Sequence, residues 1–233
     1  MDQEPLAEIK FCGIASNILL IGGCMSIWIL CEFCSRASLA GFLTAVFFIC
    51  LTFLASMIFR LLAARQISKL SASKLFTKTF SALITAVLLA ILWISMALYS
   101  LSQVGFSAVE YAAAQIGGSF ADNAYAIIGA VANNFLNIQG TPLTIFLTVD
   151  SILTIYFWFM LGVAYYLLGK DTQNSAFYIY SGLAFIGIAL QFIDFSSLNG
   201  LVSPYTLLAV ALLIPLCELA AWARVKNIAL AQP

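Results

Sequence analysis

The chain has 233 residues, of which 63% are hydrophobic and only 9% are charged, and its ten cationic and ten anionic side chains give no net charge. Soluble domains carry about 25% charged residues, so this composition excludes a water-soluble fold. The expected partner is the lipid bilayer, and no nucleic-acid partner is expected.

Long runs without charged residues predict six membrane-spanning helices. A helix needs about 20 apolar residues to cross a hydrocarbon layer of about 30 Å. In chain order the spans are placed at about 11–31, 38–59, 80–102, 143–168, 175–194 and 205–223. The predicted fold class is all-α. It is a polytopic transmembrane helical bundle that forms one integral membrane domain over residues 1–233, in the cell membrane.

Cationic residues set the predicted orientation. The connection 60–79 carries Arg60, Arg65, Lys69, Lys74 and Lys78. Short connections rich in Lys and Arg face the cytoplasm. With six spans, nine of the ten cationic residues then fall on the cytoplasmic side and one falls outside. Both termini are therefore predicted to be cytoplasmic.

The first span ends in a C-x-x-C pair, Cys31 and Cys34, on the predicted outer side. That side can be oxidising, which favours a disulfide and admits a thiol–disulfide oxidoreductase. The carboxyl end of a helix disfavours a reactive thiolate, and no second thiol pair is expected on that side. One pair without any His also makes no metal site. A structural disulfide, or two unreactive thiols, is the preferred interpretation.

The long connection 103–142 contains no Lys or Arg and is predicted to lie on the outer side. Gly117 and Gly118 divide it into two helical pieces. The second piece is apolar but too short to cross a bilayer. It either packs at the membrane interface or dips in as a re-entrant segment, as in some channels. A seventh, tilted span is the third alternative, but it would move Lys170, Arg224 and Lys226 to the outer side.

Small residues mark two spans as surfaces for close helix packing. Ala82, Ala86 and Ala90 repeat at every fourth position on the third span, and Gly22 and Ser26 have the same spacing on the first. Small side chains let helix backbones approach closely in lipid. We expect these positions to serve folding or assembly.

The basic segment before the third span has a characteristic order of residues. From Gly13 the chain runs through two spans into LLAARQISKLSASKLFTKTFSALI, in which LFTKTF gives an aromatic start to the third span. This order resembles an archaeal group of small multi-pass membrane proteins of unknown function. The resemblance covers under half of the chain and implies no particular chemistry.

Ionisable residues inside predicted spans are candidate functional groups, because a charge in hydrocarbon is costly. Asp150 lies in the outer half of the fourth span, beside three hydroxyl side chains. Gln191 and Asp194 lie three residues apart at the outer end of the fifth span and so share a face. These three groups could form a pocket for a cation, a proton or a polar ligand. Alternatively, Asp150 is protonated or bonded to the nearby hydroxyls, since no cationic residue is assigned to a span.

Glu218 is the second candidate, near the inner end of the sixth span and just after Pro215. Arg224 and Lys226 could reach it only in part. It either binds a ligand or extends toward the inner membrane surface.

Residue types and motifs absent from the sequence exclude several classes of enzyme and metal site. The absence of His excludes His-dependent catalytic triads and His-ligated metals, and no phosphate-binding loop is present. We find no nucleophile paired with a base, so a non-enzymatic protein without cofactor or metal is expected. The first hypothesis is a transport or channel protein, or a ligand-binding membrane component, with its polar site around Asp150. The alternative is a membrane-embedded subunit or scaffold of a larger complex, or a homo-oligomer. The third is the thiol–disulfide oxidoreductase.

Overall fold

The computed structural model describes residues 3–33, 39–104, 141–190 and 204–229, with side chains for 5–26, 47–96, 99, 141–189 and 212–229. Within these ranges the chain forms six α-helices and no strand, which confirms the predicted all-α class. The helices are α1 (Gln3–Phe33), α2 (Leu39–Ser71), α3 (Leu75–Val104), α4 (Thr141–Thr172), α5 (Ala176–Leu190) and α6 (Pro204–Ala223).

Four of the described helices are long and apolar enough to cross a membrane. The crossing segments are Pro5–Ser26, Phe47–Ser71, Leu75–Met96 and Thr141–Thr172, with mean hydropathies between 1.5 and 2.2. Two shorter apolar helices cover Ala176–Ala189 and Leu212–Ala223. The count of six crossings and the sidedness of the termini stay predictions.

Helix α2 continues past the predicted end of the second span. The span was expected to end at residue 59, whereas α2 runs to Ser71. Residues 60–71 contain no Gly or Pro, so nothing in the sequence stops the helix there. The assignment of Arg60 to a connecting segment is therefore wrong. Arg60 lies inside the candidate crossing Phe47–Ser71.

A three-residue turn joins α2 to α3. Ala72 adopts a positive φ of 52°, the left-handed conformation that commonly ends a helix. The Ser73 hydroxyl oxygen then accepts the backbone N–H of Leu75 at 3.3 Å, and the Ser68 hydroxyl accepts that of Phe76 at 2.7 Å. These bonds satisfy amide groups at the start of α3, which have no partner within the helix.

The α4–α5 turn has the same two features, a residue with positive φ and a side chain that caps the next helix. Gln173 has a φ of 50°, and the side-chain oxygen of Asn174 accepts the backbone N–H of Ala176 at 3.1 Å. The Asn174 amide nitrogen also donates to the carbonyl of Ala221 on α6 at 2.9 Å. One side chain therefore caps α5 and attaches its turn to a third helix.

The six helices form a closed ring. Each helix packs against the next in the chain, α6 packs against α1, and α2 also touches α4. Because short turns join α2 to α3 and α4 to α5, those neighbours are antiparallel. The α2–α3 turn, the end of α4 and Ala229 after α6 line one surface hollow, which includes Lys74, Lys78 and Lys170. We call this end of the ring the basic end.

The largest cluster of buried apolar side chains brings together residues near the basic end, and it joins all six described helices, with α3 represented by Leu75. Gly13 marks the closest approach within it, because a Cβ at this position would overlap the Trp222 ring of α6. Nothing lies within 4 Å of a Cβ placed at Gly22, so Gly22 does not mark a close contact between the described helices of this chain. A role for Gly22 in assembly stays a prediction.

Candidate functional site

A buried ion pair joins two helices that are far apart in sequence. The Arg60 Nη2 atom of α2 lies 2.9 Å from the Glu218 Oε2 atom of α6. Glu218 lies five residues before the end of α6, which places it about 8 Å from that end at the rise of an α-helix. A charged pair at this depth in an apolar bundle is costly to desolvate, and such pairs commonly mark functional sites in membrane proteins.

Two aromatic side chains complete the hydrogen bonds of the pair. The Tyr165 hydroxyl of α4 donates to Glu218 Oε2 at 2.7 Å and accepts from Arg60 Nη1 at 2.9 Å. The Trp222 indole Nε1 donates to the other carboxylate oxygen, Oε1, at 3.2 Å. Three helices therefore hold one network, which we call the Arg60–Tyr165–Glu218 cluster.

The two charged groups differ in how much of them is accessible. The side chain of Arg60 is 20% exposed, whereas that of Glu218 is only 3% exposed. Glu218 accepts hydrogen bonds from three side chains. A guanidinium has five N–H donors, and the bonds to Tyr165 and Glu218 occupy one on each terminal nitrogen. The cluster therefore presents its cationic side.

The cluster forms one end of a cavity of about 230 Å³ inside the ring. The cavity is lined by five of the helices, mainly with apolar side chains, and its lining includes Leu20, Phe53, Ala86, Phe157 and Ile214. Arg60 and Glu218 are its charged lining residues. A second cavity of about 30 Å³ lies against the same cluster and includes Ala64 and Trp222. Mainly apolar walls with a few converging polar groups are typical of small-molecule sites.

Helical spacing explains why these residues meet. Phe157, Leu161 and Tyr165 recur every fourth residue on α4, so one stripe of that helix faces the cavity. Glu218 and Trp222 have the same spacing on α6, which lets the indole bond the carboxylate within one helix.

The small residues of α3 lie in two different environments. Ala82 and Ala86 line the cavity, whereas Ala90, one turn further along, is exposed. Ala82 is buried. Two short side chains on this stripe leave space inside the ring.

Asp150 has a partner on a neighbouring helix. The Trp93 indole Nε1 of α3 donates to its Oδ1 atom at 2.9 Å, and the Trp93 ring packs edge-on against Phe146. The hydroxyl of Thr148 instead donates to the carbonyl of Thr144. Asp150 is absent from the linings of the cavities described above.

The structure assigns Glu218 a partner that the sequence did not suggest. Arg224 and Lys226 were the expected neighbours, whereas the ion pair is made with Arg60, 158 positions away in the chain. The statement that no cationic residue enters a span is corrected by the same observation.

The other predicted site residues have no described side chains. Gln191, Asp194 and Cys34 lie outside the described residues, as does nearly all of the 103–142 connection. Cys31 lies within α1, but its side chain is outside the described set. The possible Cys31–Cys34 disulfide and the outer polar pocket stay predictions.

The sequence analysis missed Tyr165 and Trp222 altogether and placed Arg60 in a loop. One signal was available for Arg60, since the apolar run continues for four residues after it. No signal marked Tyr165, because it is one of many aromatic residues on an apolar helix.

The fold and the site together define a class: an all-α protein with four described helices able to cross a membrane and a buried ion pair beside an internal cavity. Among the described residues, no group of three or more His, Cys, Asp or Glu side chains is arranged to hold a metal ion. Comparison with protein-family models, curated proteins and solved structures finds no match. The resemblance to the archaeal group therefore stays a prediction.

Proposed function

We propose that this protein is a multi-pass integral membrane protein that binds a small solute in the cavity inside its helix ring, as a transporter does. The observation that carries the proposal is the ion pair of Arg60 and Glu218 at the end of a cavity of about 230 Å³. The proposal moves the site from Asp150, whose bond to Trp93 lies away from that cavity, to the Arg60–Tyr165–Glu218 cluster.

The volume of the cavity limits the size of the solute. An engineered protein cavity of about 150 Å³ holds benzene, which has six non-hydrogen atoms. Simple scaling gives about nine such atoms for a cavity of 230 Å³. The solute is therefore one ring, or a short chain, with a polar group that reaches the cluster.

The buried pair supports a functional role because stability alone does not require it. Replacing both partners of a buried ion pair by well-packed apolar residues is often neutral or stabilising, whereas removing one partner costs about 3–5 kcal/mol. In an apolar bundle, an apolar pair of similar volume would fill the same space. Recognition of a polar solute gives a reason for the charges.

Filling the cavity tests the proposal. The probes are benzenesulfonate, benzenesulfonamide and phenyltrimethylammonium, which share a ring and a tetrahedral head and differ in charge. We expect at least one to raise the unfolding temperature of the wild-type protein in lipid nanodiscs, because a ligand that binds only the folded state stabilises it. Ala86→Phe should abolish the rise, because its ring occupies the cavity.

The matched control is Ala90→Phe, which adds the same ring one turn away at an exposed position of the same helix. This variant should respond to the probe as the wild type does. Two results would contradict the proposal: no probe changes the unfolding temperature of the wild type, or Ala86→Phe responds undiminished. Asp150→Asn should also keep the response, and its loss would return the site to Asp150.

A further inference from the structure

We propose that the cavity takes a small monoanion, of the carboxylate or sulfonate kind, and that its binding is linked to the uptake of one proton by Glu218. This inference deepens the proposed function and rests on it. The observation behind it is the unequal presentation of the two charges, with Arg60 20% exposed and Glu218 3% exposed.

Arg60 suits an anion better than Glu218 suits a cation. A planar guanidinium binds carboxylates and sulfonates through paired N–H donors, and it stays charged at any ordinary pH. Glu218 already accepts three hydrogen bonds, from Arg60, Tyr165 and Trp222. A cation would have to reach a carboxylate that is almost fully covered.

Charge balance then requires a proton. Without solute, the charges of Arg60 and Glu218 cancel, and the other residues lining the cavity are uncharged. An added monoanion would leave one uncompensated negative charge in an apolar interior, which is costly. If a proton from water binds Glu218, its ion pair with Arg60 breaks and the guanidinium pairs with the anion instead. The net charge is zero before and after.

Glu218 is the group that can take this proton. The titratable and charged side chains contributed near it by the packed helices are Arg60 of α2, Tyr165 of α4, Tyr180 of α5, Cys217 of α6 and Cys12 in the shared core on α1. Arg60 is already protonated. The tyrosine hydroxyls and the thiols are neutral and already carry their protons, so they do not take up another. Glu218 is the carboxylate among them.

Binding of a cation would not leave the net charge of the cavity at zero. A bound cation would leave one uncompensated positive charge, and Arg60 does not release its proton. A neutral solute would leave the ion pair intact and take up no proton. The three classes of solute therefore differ in the number of protons that accompany binding.

Calorimetry of the full-length protein in nanodiscs tests the inference, with benzenesulfonate as the anion. This probe stays ionised, so any proton uptake belongs to the protein. Titration in two buffers with different ionisation enthalpies should show one proton taken up per benzenesulfonate bound. Because binding takes up one proton, the affinity for benzenesulfonate should rise as the pH falls, by about tenfold per pH unit where a full proton is taken up.

Glu218→Gln should bind benzenesulfonate without proton uptake and with an affinity that no longer depends on pH, because the neutral amide resembles the protonated acid. Arg60→Gln should abolish binding of the anion. Asp150→Asn should keep the proton uptake of the wild type. If Glu218→Gln does not fold, the proton count of the wild type still decides the question.

Anion binding without proton uptake would overturn the inference, as would tighter binding of phenyltrimethylammonium. Binding of benzenesulfonamide but not benzenesulfonate, lost in Ala86→Phe, would overturn the inference and leave the proposed function standing. Failure of all three probes to bind would overturn both.

Discussion

Trp222 connects the packing of α1 to the ion pair. Its indole donates to Glu218, and its ring lies where a side chain at Gly13 would have to fit. The side chain is 3% exposed, so the ring has little room to move aside. The absence of a side chain at Gly13 therefore allows a bond that holds the carboxylate on the opposite side from Arg60.

Gly13→Ala should destabilise the protein by about 1–2 kcal/mol, because overpacking costs about 1–3 kcal/mol and the better helix propensity of Ala returns up to about 1 kcal/mol. Gly22→Ala is the matched control on the same helix, since its Cβ would meet open space. It should be neutral or stabilising. Thermal unfolding in detergent measures both, and an unchanged melting temperature for Gly13→Ala would show that Trp222 can move.

At the scale of helices, the turns fix which elements surround the site. Asn174 caps α5 and bonds the carbonyl of Ala221, one residue before Trp222. The α4–α5 turn is thereby attached to the part of α6 that carries the cluster. Removing the hydrogen bonds of Asn174 should therefore destabilise the packing of α6 as well as that of α5.

Asn174→Ala removes both bonds and should lower the free energy of unfolding by about 1–3 kcal/mol, from one lost cap and one lost interhelical bond. Asn174→Asp keeps the oxygen that caps α5 and loses the nitrogen that donates to Ala221, so it should fall between Asn174→Ala and the wild type. Chemical denaturation measures the series. Equal stability of Asn174→Asp and the wild type would show that the bond to α6 contributes nothing.

At the scale of the whole molecule, three of the described lysines collect at one end of the ring. Lys74, Lys78 and Lys170 line one hollow together with the α2–α3 turn, and the backbone N–H of Ala229 donates to the Asp171 carbonyl there at 2.7 Å. Residues 224–229 after α6, which include Arg224 and Lys226, therefore reach the basic end. Cationic flanks on one side are what the orientation rule for membrane proteins requires.

Lys74 and Lys78 should therefore escape an amine reagent that cannot cross membranes when it is applied to intact cells that express the protein. The same reagent should label both in inverted membrane vesicles, where the cytoplasmic face is outside. Mass spectrometry of the labelled peptides measures the difference. Labelling of Lys74 or Lys78 in intact cells would reverse the predicted orientation and place the basic end outside.

The candidate site shows how far prediction from the sequence could go. Glu218 was selected because a carboxylate in an apolar run is unusual, and that rule depends on composition alone. Its partner could not be found in the same way. Arg60 lies 158 positions before Glu218 in the chain, and only the packing of α2 against α1 and α3, with α6 on the other side of α1, brings the two together.

The sequence by itself determined the helical class, because long apolar runs can satisfy their backbone hydrogen bonds in lipid only as helices or closed barrels, and the alternation of a barrel is missing. It could not determine which side of each helix faces inward. Apolar residues surround these helices on every side, as the exposed Phe47, Ile94 and Ile179 show, so no periodic pattern marks the interior. Only the tertiary structure decided that Arg60, Tyr165 and Glu218 share one network, because three helices distant in sequence must pack before their polar groups can meet.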